Sequence, residues 1–176
     1  MQIKMKLLFA IKSLNVEGGG AERVLVDIVN GLAARGHEIR ILTFDSPGDS
    51  FYKLDAQVER IDADFGVPGS SVSRLAFFRA IPRLRRLVKI AGTDLIVAFM
   101  HSSYVPLALA LMGTGCRIIA SEHAPASHYR MRPFERFLIE FADRLILAKT
   151  VPSDAVSREY SRRSRCLPSV VPNPVY

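Results

Sequence analysis

The hydrophobic positions of the chain alternate between short apolar runs and longer stretches with helical spacing. Residues Ile3 to Ile11 are apolar with little alternation, which is typical of a strand covered on both faces. From Ala21 to Ala33 the apolar residues recur at three- and four-residue intervals, and Gly36 follows as a helix stop. Residues Glu38 to Phe44 form a second apolar run. A strand, a helix and a strand in this order predict a parallel pair joined by a right-handed crossover.

The same alternation continues along the chain. Further strands are predicted at Val58–Ile61, Asp94–Met100, Cys116–Ser121 and Leu145–Ala148, and further helices at Ser73–Ala91, Val105–Met112, Pro133–Ala142 and Ser153–Tyr160. Ser153 is the expected N-cap of the last helix, and Pro106 is expected in the first turn of its helix. For 176 residues, six or seven such strands predict one α/β domain. The expected fold is Rossmann-like and doubly wound, with a mainly parallel sheet, helices on both faces and ligands at the carboxyl ends of the strands.

Composition bears on the cellular setting. The two cysteines, Cys116 and Cys166, are too few for a disulfide framework, and the apolar neighbours of Cys116 predict a buried thiol. The longest apolar stretch, Leu95 to Met112, is interrupted by polar residues and Pro106, which favours a strand, a turn and a helix over a membrane span. No small-residue cleavage site follows the first apolar run, so a signal peptide is disfavoured. We therefore expect a reduced, cytoplasmic setting.

A formal net charge of +7 favours an acidic partner, which charge alone does not identify. The predicted helix Ser73–Ala91 concentrates the cations Arg79, Arg83, Arg85, Arg86 and Lys89. This pattern fits a core-facing helix with a solvated back, kinked or split at Pro82. It fits equally well a membrane-facing helix that lies on anionic lipid at the inner face of the membrane. Nucleic acid is disfavoured as a partner, because the cations cluster on one segment with few aromatic residues among them.

Three consecutive glycines, Gly18, Gly19 and Gly20, separate the first predicted strand from the first helix. Free backbone amides and the helix dipole favour an anion such as a phosphate there, and a simple tight turn is the alternative. The G-x-G-x-x-G motif of nicotinamide dehydrogenases requires a small residue where this chain has Arg23, although Asp45 suits the ribose-binding acid. A Walker-type phosphate loop is excluded, because no Gly-Lys-Ser/Thr follows the glycines.

Several short motifs occur in an order that resembles one known family. They are Gly18-Gly-Gly-Ala-Glu-Arg23, Leu32-Ala-Ala-Arg-Gly-His37, Ser121-Glu-His123, Ala142-Asp-Arg144 and Val171-Pro-Asn-Pro-Val175. Together they span most of the chain and resemble glycosyltransferase family four, whose members have the two-domain GT-B fold. The resemblance implies retaining transfer of a sugar from a nucleotide-sugar donor to a glycan or lipid-linked acceptor, as in polysaccharide or lipopolysaccharide assembly. It implies neither a metal nor a cofactor.

The resemblance also implies roles for particular residues on the donor side. The three glycines would face the donor phosphates or the acceptor, with Glu22 and Arg23 beside them at the start of the helix. His123 would be the catalytic residue near the transferred sugar, and a loop histidine that bonds backbone carbonyls is the alternative. Glu122 would point the other way along the strand end and have a structural or orienting role.

The acceptor side is expected to follow another strand. His101, Ser102 and Tyr104 would line the acceptor pocket together with Ser103, although capping of the following helix is an equally good explanation of the serines. His123 and His128 are five positions apart, which is not a usual zinc spacing, so no metal is expected.

The resemblance divides the chain into two parts. Residues 1–166 are expected to form the acceptor-side domain, and the proline-rich residues 167–176 to begin an interdomain linker. In the family this linker leads to a second domain that grips the nucleotide and supplies a pair of glutamates. That domain is absent from the sequence, so we expect the chain alone to be inactive. The alternatives are a stand-alone Rossmann-like binding module and, less favoured, a nicotinamide-dependent oxidoreductase domain.

Overall fold

The computed structural model describes residues 3–15, 17–65, 74–161 and 167–174, except for the side chains of residues 74–79 and 161. The strands are β1 (Lys6–Ile11), β2 (Glu38–Thr43), β3 (Glu59–Asp62), β4 (Leu95–Phe99), β5 (Ile118–Ser121), β6 (Ala148–Val151) and β7 (Ser169–Val170). The helices are α1 (Gly20–Ala33), α2 (Arg74–Ala91), α3 (His101–Ala110), α4 (Pro133–Ala142) and α5 (Asp154–Ser161). A 3₁₀ helix, Ala126–Tyr129, lies between β5 and α4.

The seven strands in the described part of the chain form one parallel sheet in the order β3-β2-β1-β4-β5-β6-β7. In the middle of β1, Phe9 lies between Ile41 of β2 and Val97 of β4. Strands to one side of β1 follow it directly in sequence, and the chain then crosses back to place β4 on its other side. This arrangement confirms the predicted Rossmann-like, doubly wound α/β fold.

Both faces of the sheet bury apolar side chains, as the unbroken apolar runs predict. On one face α1 packs Leu25 and Val29 against Phe9. On the other face α2, α3 and α4 enclose the larger cluster, to which β1 contributes Leu8 and Ala10. Helices therefore cover both faces, and the carboxyl edge of the sheet is left for the loops that follow the strands.

Several elements differ from their predicted bounds, among them the strand after α4 and helix α3. The strand predicted at Leu145–Ala148 begins only at Ala148, because the chain leaves α4 in a turn where the Leu145 amide donates to the Ala142 carbonyl. α3 begins at His101 and not at Val105, so Pro106 lies inside the helix. The expected position of Pro106 in the first turn was wrong, because the helix begins at His101, earlier than predicted. Ser153 is confirmed as an N-cap, since its hydroxyl accepts the Val156 amide at 3.4 Å.

The surroundings of Cys116 differ from the prediction of a buried thiol. The residue is exposed, in the turn that leads from α3 to β5. Gly115 before it has a φ of 75°, and β5 starts only at Ile118, so the apolar sequence around the cysteine does not reach the core until the strand begins. Cys166 lies outside the described residues.

The proline-rich end of the chain begins with a piece of the sheet. Ser169 and Val170 pair in parallel with Thr150 and Val151 and form the edge strand β7. The expected linker thus starts with a strand, and the expected domain boundary at residue 166 stays a prediction. Residues 175 and 176 lie outside the described part of the chain.

The cations of α2 have different surroundings within one helix that continues through Pro82. Arg85 donates to the carbonyl oxygens of Ala110 and, at 2.9 Å, of Met112 at the end of α3. Its guanidinium is thus engaged at the negative end of a neighbouring helix, while the residue is exposed, so its prediction as a membrane-facing residue stays a prediction.

The structure describes the side chains of three of the other cations predicted to face a membrane. The Arg83 guanidinium lies 5.7 Å from the centre of the Phe65 ring. Arg86 and Lys89 are exposed, and the side chain of Arg79 lies outside the described residues. None of the helices in the described ranges combines the length and the hydropathy needed to cross a bilayer.

We expect the substitution Arg85→Ala to lower the free energy of unfolding by about 1 kcal/mol, because the end of α3 loses a charged donor to two carbonyl groups. The neighbouring substitution Arg86→Ala is the matched control and should stay within about 0.5 kcal/mol of the parent chain. Urea unfolding followed by circular dichroism measures both. Equal losses for the two variants would contradict the role assigned to Arg85.

Candidate functional site

The carboxyl edge of the sheet brings together most of the residues singled out from the sequence. β1 leads into the glycine loop, β4 leads to His101, and β5 leads to Glu122 and His123. These three strands are consecutive in the sheet, so the residues that follow them lie along one edge. This edge includes the reversal of strand order between β1 and β4, where doubly wound folds bind their ligands.

The glycine loop ends at the start of α1. Gly18 has a φ of 73°, a conformation that favours glycine, while Gly19 is the N-cap and Gly20 the first helical residue. A Cβ atom on Gly19 would collide with the carboxylate of Glu22, which therefore lies against the start of the helix. An incoming phosphate would compete with this negative charge for the positive end of α1. Phosphate binding by the loop stays a prediction, and Glu22 is the side chain that would have to move.

His123 lies directly after β5 on the α1 side of the sheet. Its ring stacks on Phe99 at 5.3 Å between ring centres and 18° between ring planes. Its Nε2 atom lies 3.1 Å from the Ser121 hydroxyl. Burial lowers the pKa of His123 below its usual value, so the ring is neutral at pH 7. The structure thus holds a half-buried, neutral imidazole at the edge of the sheet.

His101 is the first residue of α3 and contacts a tyrosine that the sequence did not single out. The Tyr129 hydroxyl lies 2.6 Å from His101 Nδ1, and the two rings meet edge to face at 4.7 Å. Burial lowers the pKa of His101 to about 4, although the Glu135 carboxylate opposes that shift. His101 is therefore also neutral at pH 7.

The other residues predicted to bind the acceptor divide into two groups. Ser102 is half-buried beside His101. Ser103 and Tyr104 are fully buried, and the Tyr104 ring packs against the ammonium group of Lys149 inside the domain. This corrects the prediction that Ser103 and Tyr104 line the acceptor pocket, because α3 is buried on nearly all sides from Ser103 onward.

Glu122 points away from His123, into the side of the sheet covered by α3, as predicted for an orienting residue. Its side chain is completely buried, and Oε1 accepts the Ala124 amide at 3.0 Å. The backbone amides of His123 and His101 also lie close enough to the carboxylate to favour its charged form. Burial raises the pKa of Glu122, whereas the amides and the attraction of Lys149 oppose that rise. One carboxylate therefore joins the turn after β5 to the start of α3.

That contact explains how α3 starts. Its N-cap residue, Met100, has no side chain that can cap and adopts a φ of 64°, in the region that non-glycine residues rarely occupy. The buried Glu122 carboxylate, from the neighbouring strand end, places negative charge near the positive end of the helix.

Deeper in the domain, Lys149 and Asp143 form a buried ion pair. Nζ of Lys149 lies 2.5 Å from Asp143 Oδ1, and the two side chains are 0% and 3% exposed. The ammonium group also lies 5.3 Å from the ring centre of Tyr104 and 4.7 Å from that of Tyr160. These interactions offset the cost of taking the ammonium group out of water.

The sequence contains a weak signal for this buried layer. Lys149 interrupts an apolar run that otherwise reads as a buried strand, and a charge in such a place requires a partner. The chain gives no comparable indication that Tyr129 reaches His101, because that contact joins residues 28 positions apart.

Metal-binding side chains do not gather in the described residues: no three of them come close enough to hold an ion together. The expectation that neither a metal nor a cofactor takes part stays a prediction. What the edge presents is a glycine loop, two neutral imidazoles and hydroxyl groups, which suit hydrogen bonding to a polar ligand rich in oxygen.

A parallel sheet of this order, with polar side chains at its switch point, defines the chain as a Rossmann-like domain. The model of Glycosyltransferase Family 4 matches residues 18–176, which is nearly the whole chain. The chain therefore belongs to Glycosyltransferase Family 4.

Solved structures show the same fold. HepE from Anabaena, solved with UDP and glucose, has a TM-score of 0.67 and 22% identity, over 97% of this chain and 45% of that one. Sucrose-phosphate synthase from Thermosynechococcus elongatus has a TM-score of 0.75 and 14% identity, over 96% and 48%. The lipopolysaccharide outer core galactosyltransferase WaaB has a TM-score of 0.72 and 17% identity, over 97% and 46%. The chain thus spans about half the length of these proteins. No curated protein sequence matches it significantly.

We expect Lys149→Met to lower the free energy of unfolding by about 3–5 kcal/mol, because Asp143 is left buried without its partner. The double substitution Lys149→Met with Asp143→Leu removes both charges and should cost less than the single one. Arg144→Met, at an exposed position, is the control and should change the free energy of unfolding by no more than about 0.5 kcal/mol. Urea titration measures all three. A double variant less stable than Lys149→Met would contradict the buried pair.

Proposed function

We propose that this chain forms the acceptor-side half of a retaining glycosyltransferase that transfers a sugar from a nucleotide sugar to a glycan or lipid-linked acceptor. The observation that carries the proposal is the family match across residues 18–176, which includes the glycine loop, His101 and His123 at one edge of the sheet. The solved complexes of HepE with UDP and with UDP-glucose support a nucleotide-sugar donor. The name of WaaB supports a lipopolysaccharide or a related glycan as the acceptor.

In this proposal His123 is the catalytic residue. Its neutral ring is held by Phe99, so that a nitrogen is presented in a fixed orientation to a hydroxyl of the transferred sugar. His101 and Ser102 contact the acceptor from the neighbouring strand end. Glu22 and Arg23 flank the glycines that face the donor phosphates. No step in this scheme uses a metal.

A second domain is part of the proposal. The relatives are about twice as long as this chain, which supports a donor-binding half that is separate from it. The groups that grip the nucleotide would lie in that half. We therefore expect the 176-residue chain to transfer no sugar when it is assayed alone.

The decisive assay uses the protein encoded by the complete gene, a panel of nucleotide sugars and a lipid or glycan extract of the source organism as acceptor. Release of nucleoside diphosphate that depends on the acceptor is the expected result. His123→Ala should lower kcat by about 10²-fold or more, since a group positioned at the reacting sugar is lost. His128→Ala, at an exposed histidine of the 3₁₀ helix, is the matched control and should keep kcat close to the parent value.

The outcomes separate the alternatives. A full rate for His123→Ala would remove that residue from the site, and a product with the inverted anomeric configuration would refute retention. Saturable binding of an extract component without any transfer would favour the binding module over the enzyme.

We also propose that the face formed by α2, α3 and α4 lies on an anionic membrane. α2 carries six cations and no acidic residue, whereas α1 on the other face carries one cation and two acids. On the same side as α2, helix α4 and the residues before it expose Met131, Phe134 and Phe137, of which Met131 is 88% and Phe137 62% exposed. Cations and exposed apolar side chains on the same side of the sheet suit the boundary between lipid headgroups and acyl chains.

We expect Arg86→Glu with Lys89→Glu to reduce binding to vesicles that contain phosphatidylglycerol by at least about tenfold, since each cation near such a surface contributes about 1 kcal/mol. The control, Arg35→Glu with Lys53→Glu, makes the same charge change at exposed positions on the α1 side. Co-sedimentation with vesicles measures both variants. Equal losses for the two pairs, or equal binding of the parent chain to uncharged phosphatidylcholine, would contradict this docking face.

A further inference from the structure

The contact between Tyr129 and His101 bears on which ring nitrogen of His101 carries the proton. A tyrosine hydroxyl has one proton to donate, and a neutral histidine has one nitrogen that donates and one that accepts. At 2.6 Å, the Tyr129 hydroxyl and His101 Nδ1 share one hydrogen bond, and its direction decides the chemistry of the other ring nitrogen.

We propose that Tyr129 donates to His101 Nδ1 and thereby holds His101 in the tautomer with its proton on Nε2, so that His101 meets its ligand as a hydrogen-bond donor. Tyr129 is then a positioning residue for the site. The ligand atom would be an oxygen acceptor, such as a sugar hydroxyl or a phosphate oxygen. The identity of that ligand rests on the proposed function, whereas the direction of the hydrogen bond does not.

The competing direction would have His101 donate to Tyr129 while Tyr129 donates to Glu122. The distances disfavour it, because the Tyr129 hydroxyl is 3.5 Å from Glu122 Oε2, at the limit of a hydrogen bond. The tyrosine proton is therefore best placed on the short contact to Nδ1.

Both partners are held in place by the fold. Tyr129 is 1% exposed at the end of the 3₁₀ helix, and it belongs to the same buried cluster as α3 and α4. The His101 backbone opens α3, and its amide lies near the buried Glu122 carboxylate. The hydrogen bond thus exists before any ligand arrives, which lowers the cost of orienting the imidazole on binding.

The second ring nitrogen of His101, Nε2, is available to bind a ligand. Nε2 has no hydrogen-bond partner in the described part of the chain, and it is not among the buried atoms without a partner. Since the ring stays neutral at pH 7, Nε2 carries a proton and has no lone pair to accept one. His101 therefore contributes a donor to binding, and the role of proton acceptor falls to another group.

The test is long-range proton–nitrogen correlation NMR on the nitrogen-15-labelled chain at pH 7, which distinguishes a protonated from an unprotonated ring nitrogen. We expect His101 to show a protonated Nε2 and an Nδ1 that is shifted by accepting a hydrogen bond. Tyr129→Phe removes only the hydroxyl and should move the Nδ1 resonance to the position of a histidine without a partner. A protonated Nδ1 in the parent chain would overturn the proposal.

Tyr160→Phe is the matched control. Its hydroxyl is also part of a buried tyrosine, but it donates to the Ala124 carbonyl at 3.1 Å. We expect the two variants to lose similar amounts of stability, while only Tyr129→Phe changes the ring nitrogens of His101. An unchanged Nδ1 resonance in a folded Tyr129→Phe variant would also refute the proposal. Because this measurement needs no sugar transfer, its failure is distinguishable from a failure of the proposed enzyme activity.

Discussion

A single buried carboxylate connects the turns that carry the two histidines of this domain. Glu122 accepts the Ala124 amide of its own turn, and the backbone amide of His101 at the start of α3 favours its charged form. A buried charge is costly, and here the Ala124 hydrogen bond, the nearby amides, the positive end of a helix and Lys149 offset that cost. Since Met100 offers no cap of its own, the position of α3 depends on a residue that lies 22 positions later in the chain.

Further contacts inside the domain depend on where α3 begins. With α3 starting at His101, its next turn directs Tyr104 inward, where the ring meets Lys149. Lys149 in turn pairs with Asp143 at the end of α4 and approaches Tyr160 of α5. A buried polar layer therefore lies beneath the carboxyl ends of β5 and β6. Its charged groups and tyrosine rings hold in place the segments that carry the two histidines.

The two histidines occupy separate surroundings although they lie at neighbouring strand ends. His123 is on the α1 side of the sheet against Phe99, and His101 is at the start of a helix on the other side against Tyr129. Alternation along β5 separates His123 from Glu122, so one strand end supplies both a residue of the open edge and the anchor of its neighbour.

Much of the fold follows from the sequence, because strands buried on both faces and helices with one apolar stripe leave distinct local patterns. The glycine loop and His123 were also identifiable, since each directly follows an apolar run. The sequence did not reveal the outward position of Cys116, the shifted start of β6 or the inward turn of Tyr104. Each depends on where a turn ends or a helix begins, and partners distant in sequence decide that. The sequence by itself determined a parallel α/β sheet with polar residues at its carboxyl edge. Only the tertiary structure decided which of them face solvent, because the contacts of Glu122 with α3 and of Tyr129 with His101 form only once separate segments pack together.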